Sequence, residues 1–356
     1  SAIKLINFAG LNEYYHPNHY FDAKITRKGH DYYLDLGDHP NFSSKDLATL
    51  ITRAKSKGMN EIYGNFYIIN RKFSLPAHNM GKLIEDQFYC YGAPITRTHI
   101  NKNCFDLHVK AAISPGHKPI LTTKTSGIYK IINKSNTIPN HKEARILREI
   151  NNDKIIVSGT LNNNWGQLFI GPVTEDYIRH INLFVQKNFK VQGIKLHGRI
   201  IPIKKAAKNL KTIATISASF HELASYALKT SDNFISDYLF ALFLEDNKYS
   251  EWLKAGEHFK NYIANLYNVN LKYAVLHDGS GISRHNKLTI EQFGNIMQAI
   301  YRSEKFNDFK NMLARPGEGG SLENRFRDID IYAKAGYMTS VAALVGYITY
   351  NNQDYG

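Results

Sequence analysis

Three short polar clusters, separated by long stretches of sequence, constrain the fold of this chain more than any other feature. They are Ser1–Lys4, Ser231–Asn233 and Lys334–Gly336, and they read S-x-x-K, S-D-N and K-A-G. Apart from Ala335, this order matches the set S-x-x-K, S-D-N and K-T-G. A fold that brings the three clusters together would support acyl transfer through a serine.

Length and composition are those of a globular protein. The chain has 356 residues, 43% hydrophobic and 21% charged, which indicates about two or three domains. No stretch approaches the roughly 18 uninterrupted apolar residues of a membrane-spanning helix, so we expect a soluble protein with no integral membrane segment. The net charge of +14 would attract polyanions. The basic residues are scattered and form no nucleic-acid-binding motif, so we predict no nucleic-acid partner.

The chain offers few side chains for a metal or redox centre. Cys90 and Cys104 are the only cysteines, too few for an all-thiolate zinc site and not spaced as a C-x-x-C pair. They could form one disulfide in an oxidising compartment, but the sequence leaves their separation in space open. His221-Glu222 is similar to the start of a metalloprotease helix, but Ser225 stands where the second histidine is needed. We predict no metal and no cofactor.

Hydrophobic periodicity and proline placement divide the chain into three predicted units. We assign residues 1–20 and 208–356 to a catalytic domain. Residues 21–70 and 172–207 alternate strands with helices and form an inserted α/β domain, and residues 71–171 form a β-rich domain nested within it. The predicted fold class is therefore α/β, more closely α+β, with helices packed on an antiparallel sheet and a large α/β plus β-rich insertion.

The predicted elements begin with a buried helix over residues 2–15 that starts at Ser1. Further helices are predicted over 44–57, 175–188, 219–228, 234–244 and 252–266, and strands over 32–36, 61–69, 105–113, 128–132, 195–203 and 212–216. The apolar runs Ile329–Ala333 and Thr339–Tyr350 are predicted to be adjacent antiparallel strands around the third cluster.

The residue types in the clusters fit nucleophilic catalysis. Ser1 and Lys4 are three positions apart, so a helix would place their hydroxyl and amine on one face. A lysine can take the proton of a serine when burial and nearby cations lower its pKa. Ser231 and Asn233 could relay a proton or hold a substrate amide, and Lys334 would bring a second cation.

Each cluster also has a plain structural interpretation. Ser1 would cap a helix, Ser231–Asn233 would form a turn, and Lys334 would be a solvated charge before a strand. An S-x-x-K sequence occurs by chance about once or twice in a chain of this length. The order and surroundings of all three clusters favour the catalytic interpretation.

The sequence resembles class C penicillin-binding proteins, a family of D-alanyl-D-alanine carboxypeptidases and endopeptidases, over nearly the whole chain. Residues 277–286, HDGSGISRHN, are similar to the D-G-S-G-L-S-R-x-N segment of the family. Residues 320–326, 333–336 and 340–347 are similar to its third motif with its flanks. The long interval between Ser1 and Ser231 fits a family that inserts two extra domains between its first and second motifs.

The resemblance implies a β-lactamase/transpeptidase-like catalytic domain and a role for each catalytic residue. It implies Ser1 as the acylated nucleophile and Lys4 as its base. It implies Ser231 and Asn233 as the pair that relays a proton and holds an amide, and Lys334 as the cation of the third motif.

The same resemblance places substrate binding at Ala335, Gly336 and Tyr337, and the Tyr337 N–H could complete an oxyanion hole. Ala335 departs from the family, which has Thr or Ser there to help hold the terminal carboxylate of the substrate. Loss of this hydrogen bond to a charged group would weaken binding by about 1.5 to 3 kcal/mol.

The implied activity is metal-independent hydrolysis of D-Ala-D-Ala or D-Ala-meso-diaminopimelate bonds in peptidoglycan through an acyl-enzyme. The implied partners are peptidoglycan peptides and β-lactam antibiotics, and the implied location is the bacterial periplasm or outer cell envelope. The sequence is compatible with a homo-oligomer. Because the chain opens on Ser1, without the strands and helix that normally precede such a serine, we expect a processed or trimmed chain.

Two alternatives stay open at this point. Because of Ala335, the chain could be a catalytically weakened scaffold of the same fold that binds peptidoglycan without turning it over. Alternatively, Ser1 could be a free N-terminal nucleophile whose own α-amine is the base. The second alternative leaves the clusters from Ser231 onward unexplained.

Overall fold

A computed structural model of the chain describes residues 2–16, 18–125, 127–140, 143, 145–171, 173–245, 248–338, 341–351 and 353–356. The helices are α1 (Ile3–Tyr14), α2 (Ser44–Ser56), α3 (Tyr177–Gln192), α4 (Phe220–Thr230), α5 (Asn233–Leu244), α6 (Trp252–Tyr267), α7 (Ile290–Tyr301) and α8 (Phe306–Met312). The strands are β1 (Tyr20–Lys28), β2 (Asp31–Asp35), β3 (Glu61–Ile62), β4 (Phe66–Ile69), β5 (His108–Lys110), β6 (Ile120–Thr122), β7 (Lys130–Ile138), β8 (Ile146–Asn151), β9 (Lys154–Asn162), β10 (Gln167–Phe169), β11 (Lys195–Leu196), β12 (Ile200–Ile203), β13 (Lys211–Ser219), β14 (Ile331–Met338), β15 (Val341–Tyr350) and β16 (Gln353–Tyr355).

The inserted region is organised around a five-stranded sheet in the order β12-β4-β2-β1-β13. β1 is antiparallel to β2 and β13, whereas β4 is parallel to β2 and β12. Helix α2 begins at a capping box in which the Ser43 hydroxyl accepts from the Asp46 N–H. Its apolar residues Leu50 and Ile51 are buried in one core with Phe184 of α3 and Leu34 of the sheet.

A β-rich part packs against the same core. β7 pairs in parallel with β9, which is antiparallel to β8, and β5 pairs antiparallel with β6 and β10. The segment before it, residues 71–103, contains short 3₁₀ turns and no strand within its described backbone. A disulfide between Cys90 and Cys104, with Cα atoms 5.5 Å apart, ties this segment to the β-rich part.

A second hydrophobic core is built around α1. Leu5, Phe8 and Leu11 are fully buried in it, together with residues of α4, α5, α6, α7 and α8. α1 approaches α6 so closely that a Cβ at Gly10 would collide with the side chain of Ile263. The last three strands form an antiparallel sheet in the order β14-β15-β16, and Tyr347 of β15 is buried in the same core.

Several predicted elements differ from the structure. The predicted strand over 61–69 is wrong: it is split into β3 and β4, because Gly64 turns against the β1–β2 hairpin, where a Cβ would collide with the Asp31 carboxylate. The predicted strand over 195–203 is likewise two short strands. β1, α7 and α8 were not predicted from the sequence.

β13, which overlaps the part of the chain assigned to the catalytic domain, pairs with β1 in the sheet of the inserted region. The proposed division of the chain into three domains stays a prediction. Among the described residues, no helix combines the length and the apolarity needed to cross a bilayer.

Candidate active site

α1 carries Lys4 into the centre of the molecule. The side chain is fully buried, and its Nζ donates to Asn233 Oδ1 and to the backbone oxygen of Ser280, at 2.5 Å in each case. The first cluster therefore meets the second through Lys4. Ser1 lies outside the described residues.

The second cluster forms the junction of α4 and α5. Ser231 ends α4 in the left-handed conformation, with φ of 61°, which is uncommon for a residue with a side chain. Asp232 is the N-cap of α5, accepting from the Ile235 N–H at 2.9 Å, and it also forms an ion pair with Lys102. The cap turns Asp232 away from Lys4 and leaves Asn233, the first residue of α5, to bind it.

The third cluster lies within β14. Lys334 is fully buried, opposite Val345 in the register with β15, and its Nζ donates to the Ala335 carbonyl. Over Ala335–Met338, β14 pairs with β15 alone among the strands of the described residues. These residues line the cleft described below, so the unpaired edge of β14 can offer main-chain groups other than the Ala335 carbonyl to a ligand.

Burial gives both lysines unusual acidity. Burial lowers the pKa of Lys4 to about 8, against the opposing attraction of Asp237 and Asp278. Burial also lowers the pKa of Lys334 to about 7, and repulsion from the charge of Lys4 adds to this effect. Between about pH 7 and pH 8 the pair can therefore hold a single proton, which lies mainly on Lys4 and in a minor fraction of molecules on Lys334.

One cleft of about 600 Å³ joins the second and third clusters. Its lining includes Ser231, Asn233, Ala335, Gly336 and Tyr337. The structure thus brings these predicted residues to one cavity, and Lys4 and Lys334 contact its lining residues Asn233 and Ala335. Leu83, Asp86 and Tyr91 of the segment over residues 71–103 complete the wall, and Arg284 and Arg325 add two basic side chains.

A buried polar network next to Lys4 was not predicted from the sequence. Lys82 Nζ lies 2.7 Å from Asp237 Oδ2, and Asp237 Oδ1 accepts from the Ser280 N–H at 2.7 Å. Ser280 also accepts from Lys4, so it links the ion pair to the predicted base. Asp237 is the one aspartate in the apolar helix α5, one turn after Asn233, and a lone carboxylate on such a helix indicates a buried polar contact. Lys82 lies in an irregular segment, and no sequence pattern around it indicates its partner.

The loop from Asp278 to Gly281 is fixed by hydrogen bonds between the Asp278 carboxylate and main-chain N–H groups. Asp278 Oδ1 accepts from the Gly281 N–H at 2.7 Å, and its Oδ2 accepts from the Ser283 N–H at 2.8 Å. A Cβ at Gly279 would collide with the backbone oxygen of Ser236. The glycine therefore allows this loop to approach α5 and to present the Ser280 carbonyl to Lys4.

The described residues contain no group of three or more His, Cys, Asp or Glu side chains arranged to hold a metal ion. Glu222, half of the His221-Glu222 pair considered above, accepts from the Ser219 N–H at 2.8 Å in the capping box of α4. The Glu222 carboxylate therefore caps the N-terminus of α4.

A helical core, an antiparallel sheet and a cleft with a buried lysine, a Ser-x-Asn pair and a second lysine define a serine peptidase of the penicillin-binding class. The chain belongs to the D-Ala-D-Ala carboxypeptidase 3 (S13) family, whose sequence profile matches residues 1–355.

Individual relatives are distant in sequence. The chain is 22% identical over 325 residues to D-alanyl-D-alanine carboxypeptidase DacB of Haemophilus influenzae, covering 87% of this chain and 67% of that protein. It is 24% identical over 283 residues to penicillin-sensitive carboxypeptidase A of Dictyostelium discoideum, covering 75% of this chain and 54% of that one. The chain therefore spans about two thirds and about half of the lengths of these relatives.

The fold is shared with a solved structure. The crystal structure of penicillin binding protein 4 (dacB) from Haemophilus influenzae superposes with a TM-score of 0.83 at 18% identity, over 99% of this chain and 82% of that one. A second structure of that protein, complexed with a β-lactam, gives a TM-score of 0.79 at 16% identity with the same coverage. The predicted family, the fold class and the assignment to D-Ala-D-Ala carboxypeptidases are confirmed.

Proposed function

We propose that this chain cleaves D-Ala-D-Ala or D-Ala-meso-diaminopimelate bonds of peptidoglycan through an acyl-enzyme on Ser1. The observation that carries the proposal is the contact of 2.5 Å between Lys4 Nζ and Asn233 Oδ1, directly beneath a cleft lined by the third cluster. Family membership supports the reaction class.

In the first step, neutral Lys4 removes the hydroxyl proton of Ser1, and the serine oxygen forms a bond to the carbonyl carbon of the penultimate D-Ala. In the sequence, Ser1 precedes Lys4 by three positions, the spacing of about one helical turn. The Tyr337 N–H stabilises the oxyanion that develops on the carbonyl oxygen. The lowered pKa of Lys4 suits this role because a base works best with a pKa near the operating pH.

In the second step, the carbon–nitrogen bond breaks, and the leaving amine receives the proton from Lys4 through the Ser231 hydroxyl. A water molecule then attacks the ester. Lys4 takes one proton from this water, the ester carbon–oxygen bond breaks, and the Ser1 hydroxyl regains the proton. The products are the shortened peptide and either free D-alanine or the second stem peptide with its amine set free.

Substrate binding would use the open edge of β14, which can pair with an extended peptide, and the amide of Asn233. The Lys334 ammonium would attract the terminal carboxylate. Ala335 offers no hydroxyl to that carboxylate, so binding rests more heavily on the charge of Lys334. The acidic Asp86 and basic Arg284 in the same cleft would suit a substrate with charges of both signs.

We place this activity in the bacterial periplasm or outer cell envelope, where the wall polymer lies. The Cys90–Cys104 disulfide supports an oxidising compartment.

The test is release of D-alanine from a peptide ending in D-Ala-D-Ala. We expect release by the unmodified protein, none by Ser1→Ala, and a reduction of about 100-fold or more in Lys4→Met. The exposed Lys28 of β1 provides the control, since Lys28→Met should leave the rate unchanged. Undiminished release by Ser1→Ala would contradict the proposal, and undiminished release by Lys4→Met would favour the α-amine as base.

The presence of Ala335 favours a second candidate, a scaffold that binds peptidoglycan without cleaving it. This candidate predicts that muropeptides bind with no D-alanine released. Equilibrium binding measured on the same peptide therefore separates the two functions: binding with turnover supports the enzyme, and binding without turnover supports the scaffold.

A further inference from the structure

We propose that Lys82, contributed by the inserted region, is a positioning residue for the base: its ion pair with Asp237 keeps that carboxylate from holding Lys4 as an ammonium ion. This inference rests on the proposed function, because it assumes that neutral Lys4 accepts the proton of Ser1.

The Lys82–Asp237 pair is sealed from solvent. The side chains are 3% and 0% exposed, and the nitrogen–oxygen distance is 2.7 Å. Burial by itself would lower the pKa of Lys82, but the attraction of Asp237 and Asp278 outweighs burial and raises it. Lys82 therefore stays positively charged beside Asp237, whereas the pKa of the neighbouring Lys4 is lowered.

The main chain around Lys82 is held against the catalytic part of the molecule. The Gly81 carbonyl accepts from the Arg284 N–H at 2.9 Å, and the Gly81 N–H donates to Asn79 Oδ1 at 2.8 Å. A Cβ at Gly81 would collide with Ser283 Oγ. This close approach fixes the direction from which Lys82 enters the core.

The charges that act on Lys4 come from several elements. Asp237 and Asp232 of the α5 region and Asp278 of the following loop attract its ammonium form, whereas Lys82 and Lys334 oppose it. Asp232 has its own partner in Lys102, and Asp278 accepts from main-chain N–H groups.

Asp237 touches no other cation among these charged groups. Without Lys82, Lys4 would be the cation nearest to Asp237 among these groups, because Ser280 donates its N–H to Asp237 and accepts from Lys4 with its carbonyl. A buried carboxylate without a partner strongly favours a nearby ammonium group. Lys82 thus allows Lys4 to lose its proton.

The experiment compares Lys82→Met, Asp237→Asn and the double variant with the unmodified protein. The rate constant for acylation by a fluorescent penicillin is measured from pH 5 to pH 10. We expect the pH profile of Lys82→Met to move upward by about one pH unit or more and that of Asp237→Asn to move downward. The double variant lacks both charges, should fold without an unpaired ion, and should return to within about half a pH unit of the unmodified protein.

A purely structural role would change melting temperature and rate in both single variants without moving their pH profiles in opposite directions. Such a result, or two unmoved profiles, would overturn the proposal.

A second measurement does not depend on acylation. In protein labelled with ¹³C-lysine, the Cε signal of Lys4, assigned by its loss in Lys4→Met, reports the titration of the amine. Its midpoint should rise in Lys82→Met and fall in Asp237→Asn. If the unmodified protein is not acylated but the midpoints move, the proposed function fails and the role of Lys82 stands; fixed midpoints would overturn that role whatever the enzymatic result.

Discussion

Two ion pairs of the segment over residues 71–103 have similar shortest nitrogen–oxygen distances but differ in solvent access. Lys82 meets Asp237 at 2.7 Å with side chains 3% and 0% exposed. Arg97 meets Asp38 at 2.6 Å, but these side chains are 18% and 32% exposed. From these distances alone, the two pairs would be expected to contribute similarly to stability.

The difference in exposure separates their consequences. Water screens the Arg97–Asp38 pair, and such pairs contribute about 0 to 1 kcal/mol to stability. The Lys82–Asp237 pair is unscreened and lies next to Lys4, so its charges reach the predicted base. The segment over residues 71–103 thus supplies more than a wall of the cleft: the charge of its Lys82 helps to lower the pKa of Lys4.

The largest effect is expected from breaking the buried pair. Lys82→Met should lower the free energy of unfolding by about 3 to 5 kcal/mol, because it leaves Asp237 buried without a partner. Urea denaturation followed by circular dichroism measures the change. The double variant Lys82→Met/Asp237→Asn should recover most of the loss, and a double variant as unstable as the single one would contradict the account.

The disulfide attaches the same segment covalently. Replacing Cys90 and Cys104 with serine opens a loop with a sequence separation of 14 and should cost about 3 kcal/mol. Acylation should slow as well, because Asn233 Nδ2 donates to the carbonyl of Tyr91, next to Cys90. Denaturation and acylation of the double serine variant test both effects, and unchanged values of both would count against this role of the tether.

The pH dependence of acylation tests the two cleft lysines together. Below about pH 7 both amines are protonated and no base is present, whereas above about pH 8 both are neutral and the cation is lost. Between these values the pair holds one proton, mainly on Lys4 because its pKa is the higher of the two. The reactive form, with Lys4 neutral and Lys334 charged, is the minor singly protonated form, and its fraction is largest in this interval. The rate should therefore peak between these values and fall about tenfold per pH unit on the acidic side, reaching about 100-fold at pH 5. A rate that rises steadily as the pH falls would contradict a neutral lysine base.

A smaller effect is expected at the rim of the cleft. Ala335→Thr introduces a hydroxyl on β14 and should strengthen binding of a peptide carboxylate by about 1.5 to 3 kcal/mol, a decrease in KM of about 10- to 150-fold. Ala335→Val, which adds similar volume without a hydroxyl, is the matched control. Equal effects from both variants would assign the change to packing.

The smallest effect is expected from the partly exposed pair of Arg97 and Asp38. Arg97→Met should lower the free energy of unfolding by about 1 kcal/mol or less and leave the pH profile of acylation unmoved. A loss as large as that of Lys82→Met would remove the distinction between the two pairs.

The sequence predicted those parts of the site that recur as short motifs. Lys4, Ser231, Asn233 and Lys334 could be named because their residue types and order match a chemistry, and periodic apolar residues placed α1 and α5 close to their observed bounds. β1 was missed although Phe21, Ala23 and Ile25 alternate with Asp22 and Lys24, a pattern typical of a half-buried strand.

The buried network could not be predicted in the same way. Lys82 lies in a segment without regular structure, and it meets Asp237 across 155 positions of sequence. Nothing in the local pattern around Lys82 distinguishes a buried ion pair from a solvated lysine. The split of the predicted strand over 61–69 has a similar origin, since the turn at Gly64 is set by contact with a distant hairpin.

The most direct test of the account is the intact mass of the protein after incubation with penicillin. A serine activated by Lys4 in a cleft that binds D-Ala-D-Ala should gain the mass of one penicillin per chain, and Ser1→Ala should gain none. An unmodified protein without an adduct at high penicillin concentration, or an adduct of equal yield in Ser1→Ala, would contradict the account.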